Sequence, residues 1–339
     1  MKRPIKTARA GHMTNALLGS VRNALIAFAA IAFAAPALQA QEYPDRPIRL
    51  ILGFAAGGGP DATARVTAQQ LSPLLGQPVV VENRTGASGV IAVQAVLGAQ
   101  PDGYTLLVGE TGQLGILPHL SKTLPYETMK DFAPISLLSV QPLVLAASAK
   151  SGIKSLQQMI AEAKANPGKL AYGSSGVGTL HHLAIEILKS QLGIDMIHVP
   201  FKGSGQAMPA LLAGDVPLLM SGLQQAHGHA RAGKINLLGV TTGARSEFLP
   251  EVPSFGEVSK GFDYAAEVGL LAPRGTPPAA VKRLSEALRT ALQSADLIAK
   301  FKEQYMTPKF STPEEYREVL RRNLEVYGNV VRTAKIPSN

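Results

Sequence analysis

The 339-residue sequence contains no cysteine and no tryptophan. The first absence removes disulfides, thiolate metal sites and cysteine nucleophiles together, and it suits a compartment where stray thiols are oxidised. No G-x-x-x-x-G-K-[ST] segment is present, which argues against nucleoside triphosphates. Nor is there a dinucleotide fingerprint. Gly53 to Gly59 lacks the G-x-G-x-x-G order, and Gly176-x-Gly178 runs into His181 where the third glycine belongs. The helical zinc motif H-E-x-x-H is missing, and His227 and His229, two residues apart, fall on different faces of a helix. No metal or other cofactor is therefore expected, and these histidines, with His181-His182, read as solvated or capping residues. Gly173-Ser174-Ser175-Gly176-Val177 is one residue out of register with G-x-S-x-G. A serine hydrolase using Ser174 or Ser175 with His181 or His182 thus lacks both its strained elbow and a third member.

What is present begins with the leader. Lys2, Arg3, Lys6, Arg9 and Arg22 precede an unbroken run of Ala, Leu, Ile and Phe from Ala24 to Ala35, and small residues follow at Ala37 and Ala40. A run of about a dozen apolar residues is too short to cross a bilayer and fits a secretory signal. Residues 1–40 are expected to be cleaved after Ala40, with Ala37 as the alternative, placing the mature chain in the periplasm. The leader holds five of the 33 basic residues and none of the 24 acidic ones, so the mature chain carries 28 against 24. The overall charge of +9 is then partly a property of the leader and argues weakly for nucleic acid as a partner. No second long apolar segment appears, so a soluble monomer is expected.

The length exceeds what one hydrophobic core usually supports, so two lobes are expected. Short apolar strands alternate with helical spacing, the pattern of an α/β fold with mainly parallel sheets. Strands are expected at 48–54, 78–82 and 104–109, with helices between them, including one over 87–97. The apolar segments 134–140 and 143–147 meet at Pro142, which reads as a crossing between lobes. A second strand–helix series runs to Thr241, and residues 264–271 return to the first lobe. Lobe 1 is then 41–142 plus 245–339, lobe 2 is 143–244, and a ligand cleft lies between them. Thr312-Pro313-Glu314-Glu315 opens the last helix with a cap, a first-turn proline and two acids.

Two glycine-rich segments each join a strand to a helix: Gly57-Gly58-Gly59-Pro60-Asp61 and Gly173-Ser174-Ser175-Gly176-Val177-Gly178-Thr179. A helix N-terminus presents unpaired N–H groups and partial positive charge, so it holds an anion without a charged side chain. Glycine lets that backbone come close to a ligand. One such loop is commonplace; one in each lobe points to a carboxylate gripped from both sides. Asp61 is either a first-turn acid complementing the helix dipole or a partner for a ligand amino group. Lys202, in Phe201-Lys202-Gly203-Ser204-Gly205, is either a ligand cation or a surface lysine.

From Tyr43 to about Tyr327 the chain resembles the substrate-binding proteins of tripartite tricarboxylate transporters, the Bug-type receptors. The resemblance lies in an ordered series. It opens with Tyr43-Pro44-x-Arg46-Pro47-Ile48, Gly57-Gly58-Gly59-Pro60-Asp61 and Val81-Glu82-Asn83-Arg84-x-Gly86-Ala87-x-Gly89. Pro101-Asp102-Gly103-Tyr104-Thr105-Leu106 and Gly173-Ser174-x-Gly176-x-Gly178-Thr179-x-His181-His182-Leu183 follow. Pro200-Phe201-Lys202-Gly203 and Ala272-Pro273-x-Gly275-Thr276-Pro277 close it. The resemblance implies a type II-like periplasmic-binding-protein fold, two α/β lobes joined by crossing strands that close by hinge motion. It implies a receptor rather than an enzyme, a small carboxylate held mainly by backbone N–H groups, and two integral-membrane transporter subunits as partners. An orphan receptor coupled to a signalling protein is the alternative role. Carried over by position, the first-lobe contacts are Phe54, Ala56, Gly58 and Asp61, and the second-lobe contacts are Ser174, Gly178 and Thr179, with Lys202 and Gly203. Many relatives carry a tryptophan ahead of the Ala-Pro-x-Gly-Thr-Pro turn, where this chain reads Glu267-Val268-Gly269. That departure bars any transfer of ligand identity and leaves Val268 either widening the pocket or repacking it.

Overall fold

The computed structural model describes residues 43–333 and Ile336; the expected leader lies outside them. Elements follow in the order β1 (Ile48–Leu52), α1 (Gly59–Leu75), β2 (Val79–Asn83), α2 (Val90–Leu97), β3 (Thr105–Glu110), β4 (Phe132–Gln141) and β5 (Leu143–Ser148). Next come α3 (Leu156–Ala165), β6 (Ala171–Ser174), α4 (Leu180–Leu192), β7 (Ile197–Pro200), α5 (Ser204–Ala213), β8 (Leu218–Gly222), α6 (Leu223–Arg231) and β9 (Ile235–Val240). The chain ends with β10 (Ala266–Pro273), α7 (Pro278–Leu292), α8 (Ala295–Glu303), β11 (Thr307–Pro308) and α9 (Pro313–Thr333).

Two sheets result, ordered β11-β4-β10-β3-β1-β2 and β7-β6-β8-β5-β9. The expected parallel character holds for β2-β1-β3 and for β7-β6-β8. It fails at β10 and β5, which run antiparallel to their neighbours and make both sheets mixed. The cause is the crossing. β4 belongs to the first sheet and β5, one residue later, to the second, so the chain passes Pro142 without turning back. β9 and β10 make the return journey, and Thr241 N–H to Leu143 O (3.0 Å) ties the two passages side by side.

Each sheet is covered on both faces. Leu50, Leu52, Leu106 and Val108 pack against Ala64, Ala68 and Leu71 of α1 and Leu284 and Leu288 of α7. On the opposite face Ile51, Leu107 and Leu271 meet Val93 and Val96 of α2 and Tyr316 and Leu320 of α9. Burying each of the leucine, isoleucine and valine side chains among them stabilises by about 1.5–3 kcal/mol. The second sheet is sandwiched likewise between α3 and α4 on one face and α5 and α6 on the other. Helix α9 carries on past the first sheet, and Tyr327 and Val331 join the core under α3 and α4. Among the described residues no helix is long and apolar enough to cross a membrane.

The helix starts obey local chemistry. Ser155 caps α3 and Thr179 caps α4 through their side-chain oxygens. At α9 the Glu315 N–H donates to Thr312 Oγ1 (3.2 Å) while the Thr312 N–H donates to the Glu315 carboxylate (2.8 Å), the reciprocal box its sequence predicts. The helix expected over 87–97 begins later. Gly86, Ala87, Ser88 and Gly89 all have positive φ, so this stretch is a left-handed link and α2 starts only at Val90. Ala87 and Ser88 are held there at about 1–2 kcal/mol each.

Candidate functional site

The first glycine loop follows β1, and its shape is set by Asp61. Asp61 is buried, and its carboxylate accepts from Gly57 N–H (2.9 Å), Arg65 Nε (3.0 Å) and Asn83 Nδ2 (2.8 Å). Burial pushes this carboxyl up, but the Arg65, Gly57 and Asn83 hydrogen bonds and the Arg65 charge outweigh it and hold it below the usual carboxylate range. Asn83 also donates to Phe54 O (2.9 Å), and Phe54 packs against the first core. Asp61 is thus a brace for the loop. Gly58 caps α1 with extended backbone, and Pro60 fills the first turn, where its missing N–H costs nothing. Ala56 and Gly57 are exposed. The N–H groups of Ala56, Gly59 and Asp61 find no acceptor among the described residues.

The second loop is braced by a serine and a histidine. Ser174 is fully buried, and its Oγ lies 2.7 Å from His198 Nε2 and accepts from Gly176 N–H (3.1 Å). The His198 ring lies between His182 (centroids 4.1 Å, 16°) and Tyr172 (5.0 Å, 21°), whose hydroxyl donates to Glu186. Burial, with the neighbouring His182 and Lys189, pushes His198 down to about 3; burial alone takes His181 to about 4. Both rings are neutral at physiological pH. Two of the histidines are engaged inside the protein rather than merely solvated: buried His182 stacks on His198 under the loop, and half-buried His227 pairs with Tyr305 (2.6 Å), while His181 and His229 keep part of their surface exposed. Sequence spacing missed this because His198 comes from β7, the strand beside β6. The serine's partner is also different from the one expected, and its hydroxyl, closed off and fully engaged, has no access to a substrate.

Thr179 is the cap of α4. Its Oγ1 donates to Gly176 O (2.8 Å) and its N–H approaches the same oxygen (3.4 Å). Gly178, at φ 79°, is confined to glycine by conformation and by space, since a Cβ there would stand 2.4 Å from Leu117 Cδ1. The N–H groups of Ser175, Val177, Leu180 and His181 meet no acceptor among the described residues. A third loop leans on the second, with Gly203 N–H donating to Ser175 O (3.1 Å) and Phe201 N–H to Ser174 O (3.1 Å). Lys202 is exposed.

The first sheet meets these loops through residues the sequence reading passed over. After β3 the helical stretch Thr111–Leu120 is wound as a π-helix over Gly112–Ile116, a form found often at functional sites. Gln113 is buried, and its Nε2 has no hydrogen-bond partner. Gly53 and Gly89 leave room for it: a Cβ on either would fall 2.6 Å or 1.7 Å from that nitrogen. Gln141, at the crossing, donates to Thr63 Oγ1 (2.8 Å) and stands where a Cβ on Gly59 would be, 1.9 Å from its Oε1. Ser88 Oγ donates to Val177 O (2.9 Å), joining the left-handed link of one sheet to the second glycine loop of the other. A cavity of about 320 Å³ opens beside that contact, lined by Ala87, Ser88, Leu117, Leu124, Val177 and Gly178. The signal for this third element was Gly109-Glu110-Thr111-Gly112-Gln113-Leu114-Gly115, another glycine-rich strand-to-helix junction. Val268 does not line an opening; it is fully buried in the first core.

Residues 63–335 match the family described as the tripartite tricarboxylate transporter family receptor. The protein BugT of Bordetella pertussis is 35% identical over 307 residues, covering 90% of this chain and 94% of its own. Two solved structures from Rhodopseudomonas palustris are each 30% identical to it. One, with adipate, superposes with a TM-score of 0.85 over 88% of this chain and 100% of its own. The other, MatC with bound malate, gives 0.79 over 85% and 100%. The matched family is described as a receptor, and the two solved structures hold adipate and malate. The chain belongs to the tripartite tricarboxylate transporter receptor family.

Proposed function

We propose that this protein is a periplasmic receptor that captures a small carboxylate between two lobes and delivers it to a membrane transporter of the tripartite type. The observation carrying this reading is the pair of strand-to-helix loops, one from each sheet, whose N–H groups at Ala56, Gly59, Asp61, Ser175, Val177, Leu180 and His181 have no acceptor among the described residues. Such groups at helix N-termini favour an anion. The relatives seen with adipate and malate support a carboxylate as that anion. In this reading Phe54, Ala56 and Gly58 line the first wall, and Gly178, Thr179 and Gly203 the second. Asp61 and Ser174 act by holding their loops in shape. Residues 41–142 with 245–339 move against 143–244 about the crossing at Pro142, and residues 1–40 direct export. Titration calorimetry with mono-, di- and tricarboxylates tests the reading. Saturable binding of at least one carboxylate is expected; binding of sugars or cations alone refutes it.

A further inference from the structure

Glu110 ends β3 at the carboxyl edge of the first sheet, the edge where α/β sheets place ligands. It is 2% exposed, and no described residue donates a hydrogen bond to its carboxylate. Its surroundings are unusual for an acid. Val268, opposite it in the β3–β10 register, is a fully buried apolar side chain, and the Tyr327 phenol lies near enough to feel its charge. Burial alone pushes Glu110 up to about 7.

The position of the carboxylate is given by Gly112. A Cβ built there would stand 3.5 Å from Glu110 Oε2, 3.4 Å from Gly178 O and 3.4 Å from Thr179 Cα. Glu110 therefore sits in the seam where the first sheet meets the second glycine loop. The Gly178 carbonyl in that seam also accepts no hydrogen bond among the described residues. Two acceptors, each within 3.5 Å of the same point beside Gly112 and one of them an acid, call for a donor with several N–H groups and positive charge. A buried carboxylate left unpaired is costly, and a cation seated on it removes that cost. A purely anionic ligand would do the reverse. The N–H groups of the loop that carries Gly178, without acceptors among the described residues, supply the complementary half, a place for a carboxylate.

We propose that Glu110 and the Gly178 carbonyl form an ammonium subsite, and that the ligand is an amino-bearing carboxylate rather than a plain organic acid. This rests on the reading of the loops as a carboxylate site. The test compares ligands that share a carbon skeleton and differ by the amine: aspartate with succinate, glutamate with glutarate, alanine with propionate. Calorimetric titration of the mature chain is run for the wild type, Glu110→Gln and Glu110→Asp, with folding of each variant checked by circular dichroism. In any pair that binds, the amino member is expected to bind at least about tenfold more tightly, a preference of about 1.4 kcal/mol. Glu110→Gln should abolish that preference while leaving the amine-free acid within about threefold, and Glu110→Asp should keep part of it. An amine-free acid that binds as tightly as its amino partner, or a Glu110→Gln effect equal for both, overturns the subsite and leaves the carboxylate reading standing. Binding of no carboxylate of either kind overturns both.

Discussion

Replacing Glu110 by glutamine makes a sharp prediction about the ligand-free protein. The side chain keeps its shape and loses its charge. Burial raises this carboxyl from 4.5 to about 7, so the folded state holds the proton more tightly than the unfolded chain does. For a raised value the stabilising contribution is complete below about 4.5 and is lost as pH rises through about 7. At about 1.36 kcal/mol for each pH unit, ionising Glu110 in place costs the wild type up to about 3 kcal/mol by pH 8.5. The glutamine variant escapes that cost. In a chain of this size about 1 kcal/mol moves Tm by roughly 2 °C, so the variant should melt up to about 6 °C above the wild type at pH 8.5. At pH 4.5 the two should nearly coincide. Circular dichroism melts at 222 nm suit the measurement, since the chain has no tryptophan to report by fluorescence. A Tm difference that is the same at both pH values, or a wild type more stable than the variant at pH 8.5, refutes the reasoning.

Other expectations follow from the braces. Ser174→Ala strips the bond to His198 and the acceptor of Gly176 N–H, and should cost about 1–3 kcal/mol in chemical denaturation while weakening carboxylate binding. His181 and His198 are lowered to about 4 and about 3, so they favour the folded state above the unfolded histidine value near 6.5 and cease to do so as pH falls toward those values. Melts of Glu110→Gln, which lacks the opposing glutamate, should therefore decline steadily from pH 6.5 to pH 4; a flat profile contradicts the neutral stacked column. Gly59→Ala drives a Cβ into Gln141 Oε1 and should destabilise the chain, whereas the double variant with Gln141→Ala should recover much of the loss. Failure of that rescue in thermal melts means the contact is not the source of the strain.

Much of this architecture is legible in residue order alone. Apolar runs mark the strands, and Ser155, Thr179 and Thr312 mark helix starts because their side chains do the same local work in any fold. Pro142 between two apolar runs shows the crossing, since the chain changes sheet there. Strand direction is less legible: β5 and β10 look like their parallel neighbours in composition, and only the path of the chain makes them antiparallel. The left-handed link at 86–89 hides because Ala87 is an ordinary helix former, overridden by the contacts of Gly89 with Gln113 and of Ser88 with Val177. Both glycine loops are visible in sequence, but their supports are not. Ser174 meets His198 from an adjacent strand, Asp61 meets Asn83 at the end of β2, and Gly112, two residues past Glu110, faces Gly178 from the other sheet. Contacts between distant segments leave no spacing to read.

The central claim is that backbone amides of two loops, one per sheet, hold the carboxylate. Its most direct test is a titration of ¹⁵N-labelled mature chain with a saturating carboxylate ligand, following amide resonances residue by residue. The account predicts the largest shifts at Ala56, Gly59 and Asp61 together with Ser175, Val177, Leu180 and His181, the groups without an acceptor among the described residues. Shifts confined to one loop, or gathered elsewhere with both loops unmoved, would contradict it.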